Sequence, residues 1–373
     1  MAPEIRIKLK QTAVLFAIAL LIFLFGMSST AVEFLYTHGV YQISAAIQRF
    51  LSSIFPFALG DFLYLMLVFY AVYSVFKGIK KLVKTKHYFG GSSSKALLIQ
   101  PINFVLVLYI AFKLLWGLNY SRMPVTSLLG IKNEKYTDQQ LVALGDYMVE
   151  QINVIQASRS AQQQLRRTYT IKELQEKAAA AYQQLAVKNP YFTYKNPALK
   201  AVLSSWLVTK IGLEGYYNPL SGEANVNMLL NPANLPFVTC HEISHQLGVA
   251  REDEANLIGY LATTASQDTN FRYSGNYCVL KSVLFEIGVK SPLEYARLRK
   301  KINPLTLQDF KSDREFWGKY NSNMFGYMET TLDQFLKLNN QYKGVKSYQD
   351  IVLWLYNIHK KELSPLNTKP SLK

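Results

Sequence analysis

Three long apolar runs crowd the first third of this chain, and a water-soluble fold would have to bury all of them. Residues 12–26 are almost unbroken apolar sequence, residues 57–76 form a second run, and residues 97–118 form a third. Each approaches the roughly 20 residues a helix needs to cross the hydrocarbon core of a bilayer. The first run also has the basic start of a signal peptide in Arg6, Lys8 and Lys10, with small residues Ser28 to Ala31 behind it. The continuation AVEFLY offers no clear cleavage site and two more runs follow, so retention as an anchor is the expectation. The sequence therefore predicts three transmembrane helices within residues 1–123 and a lipid bilayer as partner.

Lysine and arginine set the expected orientation. Between the second and third runs stand Lys77, Lys80, Lys81, Lys84, Lys86 and Lys95 with no acid among them, whereas residues 28–56 hold a single basic residue, Arg49. Basic loops stay on the cytoplasmic side. Three crossings would then leave residues 124–373 outside the cytoplasmic membrane. The formal charge of +16 divides into +9 before residue 124 and +7 after it. Much of the basicity is thus accounted for by topology, and no nucleic-acid motif accompanies it. Residues 40–55 repeat Ile43, Ile47, Phe50, Leu51 and Ile54 at helical spacing, the pattern of a helix lying along the outer membrane interface. Asp61 and Lys113 fall near the outer ends of the second and third runs, where long or charged side chains snorkel.

The second portion carries the chemistry. His241, Glu242 and His245 form HEISH, an HExxH pattern. On a helix the two histidines lie about 40° apart around the axis and about 6 Å along it, so both imidazoles can reach one ion. Catalytic Zn²⁺ takes three protein ligands and a water, and a neighbouring carboxylate can take that water's proton. Glu242 is placed for this work. Pro236 fits the first turn of the motif helix, which is apolar at Phe237, Val238 and Leu247; buried histidines and a glutamate on such a helix need a polar partner. Asn231, Pro232 and Asn234 before it and the charged run after it mean that this helix does not itself cross a membrane.

A third ligand must come from elsewhere. A metzincin would place a histidine where this chain has Arg251. Beyond it stand Glu252, Asp253 and Glu254. A straight helix would carry Glu254 about 13.5 Å beyond His245, so Gly248 is expected to end the first helix and let a second point a carboxylate back. Glu252 and Asp253 fall in the first turn of that second helix, where acids complement the dipole, which leaves Glu254 as the expected ligand. With His241 and His245 it would complete the set for Zn²⁺. The bland reading, three acids capping a helix, stands beside it.

HExxH followed by a helix beginning Glu254-Ala255 resembles the gluzincin zinc peptidases, the thermolysin-like group. The spacing is shorter than theirs, and Ile258 stands where an acid supporting one of the histidines would be expected. Over nearly its whole length the chain resembles more specifically a family of bacterial membrane proteins known only as a domain of unknown function. PFALGDFLY at 56–64, WGLNYSR at 116–122, GYYNPLSGEANVN at 215–227 and HEISHQLGVAREDEAN at 241–256 carry that resemblance. The gluzincin likeness implies a peptide or protein substrate, aligned as an added strand on a sheet edge.

The expected fold is mainly α: three transmembrane helices, then a mostly helical α+β, zincin-like domain with a small antiparallel hairpin or sheet. Helices are expected at 138–159, 171–188, 277–288, 292–302, 305–320, 325–339 and 348–361, with a polar connector at 160–170 and a hairpin of 206–217 with 223–228 around the turn NPLSG. Cys240 is adjacent to His241 and turned about 100° away, so it cannot share the ion; it and Cys278 are expected as buried free thiols, with a single disulfide between them as the alternative in an oxidising exterior. His359 is expected in solvent. Arg272, Tyr273 and Tyr277 are near enough in sequence to suggest oxyanion stabilisers, but most of 25 tyrosines must be packing residues. The reading is a zinc metallopeptidase anchored in the bacterial cytoplasmic membrane with its catalytic domain outside. The rival is a membrane protein with a structural or sensory zinc site.

Overall fold

The structure is a computed structural model that describes residues 3–84, 92–159, 168–320, 323–339, 341 and 350–363. Lys86, most of the expected connector at 160–170 and the start of the expected 348–361 helix lie outside the described residues. Two compact units emerge. The first is Met1–Met123 with Asn218–Gly222, and the second is Pro124–Tyr217 with Glu223–Lys373.

In the first unit the long helices are α1 (Pro3–Phe25), α2 (Tyr41–Ser53), α3 (Leu59–Lys84) and α4 (Ser92–Leu115), with a π-helical stretch at Val32–Val40 and a 3-10 turn at Gly117–Ser121. Among the described residues two helices, not three, are long and apolar enough to cross a membrane, at Ile5–Phe25 and Leu59–Lys80. The third run contributes an apolar helical stretch at Ile99–Leu115 within α4, and its last residues pass into the 3-10 turn. α4 runs parallel to α1. Thr12 Oγ1 donates to Asn103 Oδ1 at 2.6 Å, and at the other end Leu118 lies against Gly26.

The amphipathic helix α2 turns its apolar side outward. Ile43, Ile47, Phe50 and Ile54 are exposed while Gln48, Arg49 and Ser52 are buried, the reverse of a helix in water. A buried ion pair fixes the end of this unit: Arg122 donates to both Glu33 oxygens at 2.7 and 3.1 Å, and the Met123 N–H joins them at 3.2 Å. Asp61 is buried rather than snorkelling, whereas Lys113 rests its ammonium over the Tyr109 and Phe112 rings.

The second unit contains α5 (Asp138–Ser158), α6 (Ile171–Lys188), α7 (Leu235–Gln246), α8 (Glu252–Ala265), α9 (Thr269–Lys290), α10 (Pro292–Lys301), α11 (Pro304–Tyr320), α12 (Asn323–Leu338) and α13 (Asp350–Ile358). Its strands are β1 (Leu199–Ala201), β2 (Gly215–Asn218) and β3 (Glu223–Val226). Local sequence sets several starts. Thr137 with Gln140 and Thr170 with Glu173 form reciprocal capping boxes, which satisfy two otherwise orphaned N–H groups at each helix start. Asp268 caps α9 by accepting from Asn270 and Phe271, so that helix begins earlier than its apolar periodicity suggests.

The sheet is mixed, not a simple hairpin. β3 lies centrally, β2 flanks it, and β1 pairs with it in parallel with Leu199 opposite Ala224. The expected first limb of the hairpin is mostly not strand. Ser204 caps a short helix at Ser205–Lys210, and Gly212 at φ 79° turns the chain before β2 begins. α7 is buried along its whole length and packs against β3, α6, α8 and α9. Tyr182, Leu199, Val226, Val238, Ile243 and Ile258 pack one side of the core; Leu144, Met148, Tyr277, Val283 and Leu355 pack the other.

Candidate metal centre

Gly248 converts the end of α7 into a support for one of its own histidines. Its φ of 82° is costly for any residue with a Cβ. The Gly248 N–H donates to His245 O at 3.0 Å and the Val249 N–H to Ser244 O at 3.2 Å, the paired bonds of a Schellman turn. The turn brings the Val249 carbonyl back to accept from His245 Nδ1 at 2.6 Å. With Nδ1 carrying the proton, Nε2 presents its lone pair.

The extended residue Arg251 then starts α8, and the first residue of that helix is Glu252. Glu252 Oε2 lies 3.2 Å from His241 Nε2 and 3.8 Å from His245 Nε2. The ligand atoms of His241, His245 and Glu252 all lie within 4.8 Å of one another. One turn along α8, Asn256 Oδ1 accepts from His241 Nδ1 at 2.9 Å and turns that ring's Nε2 toward the same point.

The expected third ligand, Glu254, is therefore misplaced by two residues. Two residues rotate a side chain about 200° around a helix. Glu254 faces away, where its Oε1 accepts the Val125 N–H at 2.8 Å and lies 3.5 Å from Arg251. Asp253 Oδ1 accepts the Glu254 N–H at 2.9 Å, and burial, with the Glu254 charge adding, pushes its carboxyl up to about 7. The amide supporting His241, unassigned from sequence, is likewise found by counting four residues from Glu252 rather than from Glu254.

Glu242 sits beside the cluster without joining it. Its Oε2 is buried with no hydrogen-bond partner, and its Oε1 faces Gly215, where a Cβ would lie only 2.7 Å away. Burial raises its pKa to about 8; the nearby His241 pulls downward, and the Glu252 and Glu214 charges push further up. Burial lowers His245 to about 4. Burial acts the same way on His241, but the Glu252 hydrogen bond and the charges of Glu242 and Glu252 outweigh it, and it rises to about 9. Two imidazoles and a carboxylate converging on one point fit Zn²⁺, whose ligand atoms in a tetrahedron about 2.0–2.1 Å from the metal stand roughly 3.4 Å apart. The orphaned Glu242 oxygen fits a water beside that metal.

The cluster opens on a cleft of about 770 Å³ lined by Leu213, Glu214, Gly215, Phe237, Arg314 and Trp317 among others. The tyrosines considered from sequence serve the frame. Tyr273 donates to Asp309 at 2.7 Å, Tyr277 stacks on Phe310, and Arg272 donates to the carbonyls of Ser266 and Gln267 at the end of α8. His359 is half-buried against Tyr260 and Tyr147 rather than solvated. Both cysteines are free; Cys240 is buried and Cys278 half-buried.

Fold and site together define a mainly helical protein with candidate membrane spans and a cluster of two histidines and one carboxylate on consecutive helices. The chain belongs to the family described as protein of unknown function (DUF3810), which matches residues 36–356. No curated protein and no solved structure matches it.

Proposed function

We propose that this protein is a membrane-anchored zinc-dependent peptidase. The observation that carries the reading is the pairing of a three-ligand cluster with an orphaned buried carboxylate in one open cleft. His241, His245 and Glu252 would hold Zn²⁺. Zn²⁺ held by these residues would supply a water with its pKa lowered toward about 7 and a Lewis acid for the scissile carbonyl. Glu242 takes the proton of the attacking water on Oε2 and returns it to the leaving amine. Asn256 and the Val249 carbonyl hold the two imidazoles in the tautomer that leaves Nε2 free. β2 is an edge strand of the sheet, and its Gly215 borders the cleft, so an extended peptide can add to it as a further strand.

A purely structural or sensory zinc site is the other reading. Such sites close with a fourth protein ligand. Among the described residues the cluster offers three.

For the side of the second unit we take α4 as a third crossing, parallel to α1, which would leave the chain after it outside the cytoplasmic membrane. A chain leaving α4 at Leu118 emerges where α1 ends at Gly26, opposite the basic N-terminus and the lysines that close α3. Reporter fusions after Met123 should read the outer side and fusions near Lys84 the cytoplasm; the reverse would overturn the placement. For the chemistry, Glu242→Gln should retain zinc and fold while peptide cleavage falls by about 10²–10⁴. A variant that binds zinc and cleaves as the parent does would leave only the structural or sensory site.

A further inference from the structure

Beside the metal cleft lies a second cavity of about 530 Å³, formed by α9, α10 and α11. Its floor is apolar, with Phe310 and the buried Ile302, and its walls carry Lys281, Arg299, Lys311 and Arg314. No aspartate or glutamate lines it. Lys281 is held by Asp313 at 3.0 Å, and Lys311 lies 3.8 Å from the exposed Glu315. Arg299 and Arg314 have no ion-pair partner among the described residues.

One face of α11 joins the two cavities. Trp317 and Gly318 line the metal cleft, Phe310 and Lys311 line the second cavity, and Arg314 lines both. From Gly318 to Lys311 the helix rises about 10 Å, a distance an extended peptide covers in about three residues.

We infer that the second cavity is a substrate subsite that takes an acidic side chain about three residues from the bond held at the metal cleft. The inference rests on the peptidase reading and names its substrate class: peptides with an acidic residue at that remove. A carboxylate on an apolar stem matches a cavity with a cationic wall and an apolar floor, and Arg299 and Arg314 are the free cations that would meet it. The concavity and the shared Arg314 favour a peptide passing from one cavity to the other over a flat lipid surface.

Binding can be read without turnover. The full chain carrying Glu242→Gln, in detergent micelles and loaded with zinc, is titrated calorimetrically with acetyl-Ala-Ala-Leu-Ala-Ala-Glu-amide and with its glutamine twin. The glutamate peptide should bind about tenfold more tightly, with the difference shrinking as salt shortens the screening length. Arg299→Gln with Arg314→Gln should reduce the glutamate peptide to the level of its twin; both side chains are exposed, and an unchanged melting temperature confirms the fold. No preference in the parent, or a preference that survives the double substitution, overturns the subsite. So does a double variant that keeps the peptide preference and loses only binding to vesicles containing phosphatidylglycerol, since the cations then serve a membrane. Zinc content is measured separately. A chain without zinc that keeps the preference removes the peptidase reading alone, and a zinc-loaded chain without it removes the subsite alone.

Discussion

Exchanging Glu252 and Glu254 in turn for glutamine tests the central geometric assignment. Glu252 Oε2 lies 3.2 and 3.8 Å from the two Nε2 atoms, whereas Glu254 holds the Val125 N–H. Structural zinc sites bind with about 10–16 kcal/mol in total, so one ligand of four contributes about 3 kcal/mol. Glu252→Gln should therefore weaken zinc binding about 10²-fold. Asn256→Ala, which removes only the support of His241, should weaken it about 10- to 100-fold. Glu254→Gln keeps an oxygen for Val125 and should leave zinc binding unchanged. Glu254→Ala orphans a buried N–H and should cost about 1–3 kcal/mol of stability with the metal site intact. Chelator competition on the full chain in detergent gives the affinities, and thermal unfolding gives the stabilities. Loss of zinc in Glu254→Gln with retention in Glu252→Gln would refute the assignment.

Two further outcomes follow from the packing. A Cβ at Gly215 would stand 2.7 Å from both Asn225 O and Glu242 Oε1, so Gly215→Ala should cost about 1–3 kcal/mol in unfolding and depress peptide cleavage while zinc stays bound. Burial holds His359 below its ordinary pKa, so as pH falls below about 6.5 the unfolded chain takes up its proton first and stability declines until the folded group titrates. His359→Gln should therefore flatten the fall in melting temperature between about pH 7 and 5.5 relative to the parent; an equal slope in both would show that His359 is not the source.

The legible parts of this chain were those fixed by spacing within one element. HExxH places His241, Glu242 and His245 relative to one another on any helix, and Gly248 announces the turn. The third ligand depends on the residue at which the next helix starts, and an offset of two residues moves a side chain to the opposite face. Treating the first-turn acids as dipole partners discarded Glu252, although a first-turn side chain is the one nearest the helix before it. The interval from Glu252 to Asn256 was a usable signal, a carboxylate and an amide on one helical face. β1 carried no signal of its own, since three residues show no alternation and its parallel partner lies far along the chain. The third apolar run reached past the end of α4 because Trp116 to Leu118 continue it into the 3-10 turn.

The turn at Asn218–Gly222 has a consequence for how the protein is made. Although it joins β2 to β3, it belongs to the first unit, where Gln48 donates to the carbonyls of Pro219 and Leu220 and Gly60 leaves room for Asn218 that no Cβ would allow. The ribosome delivers Gln48 and Gly60 well before the turn itself, so the first unit is complete only once residues 218–222 have been made. A chain truncated to begin at Pro124 would synthesise both strands and every candidate ligand, yet have nothing to seat the loop between them. Detergent-solubilised full chain, rather than one that begins at Pro124, is the form in which this turn keeps its partners.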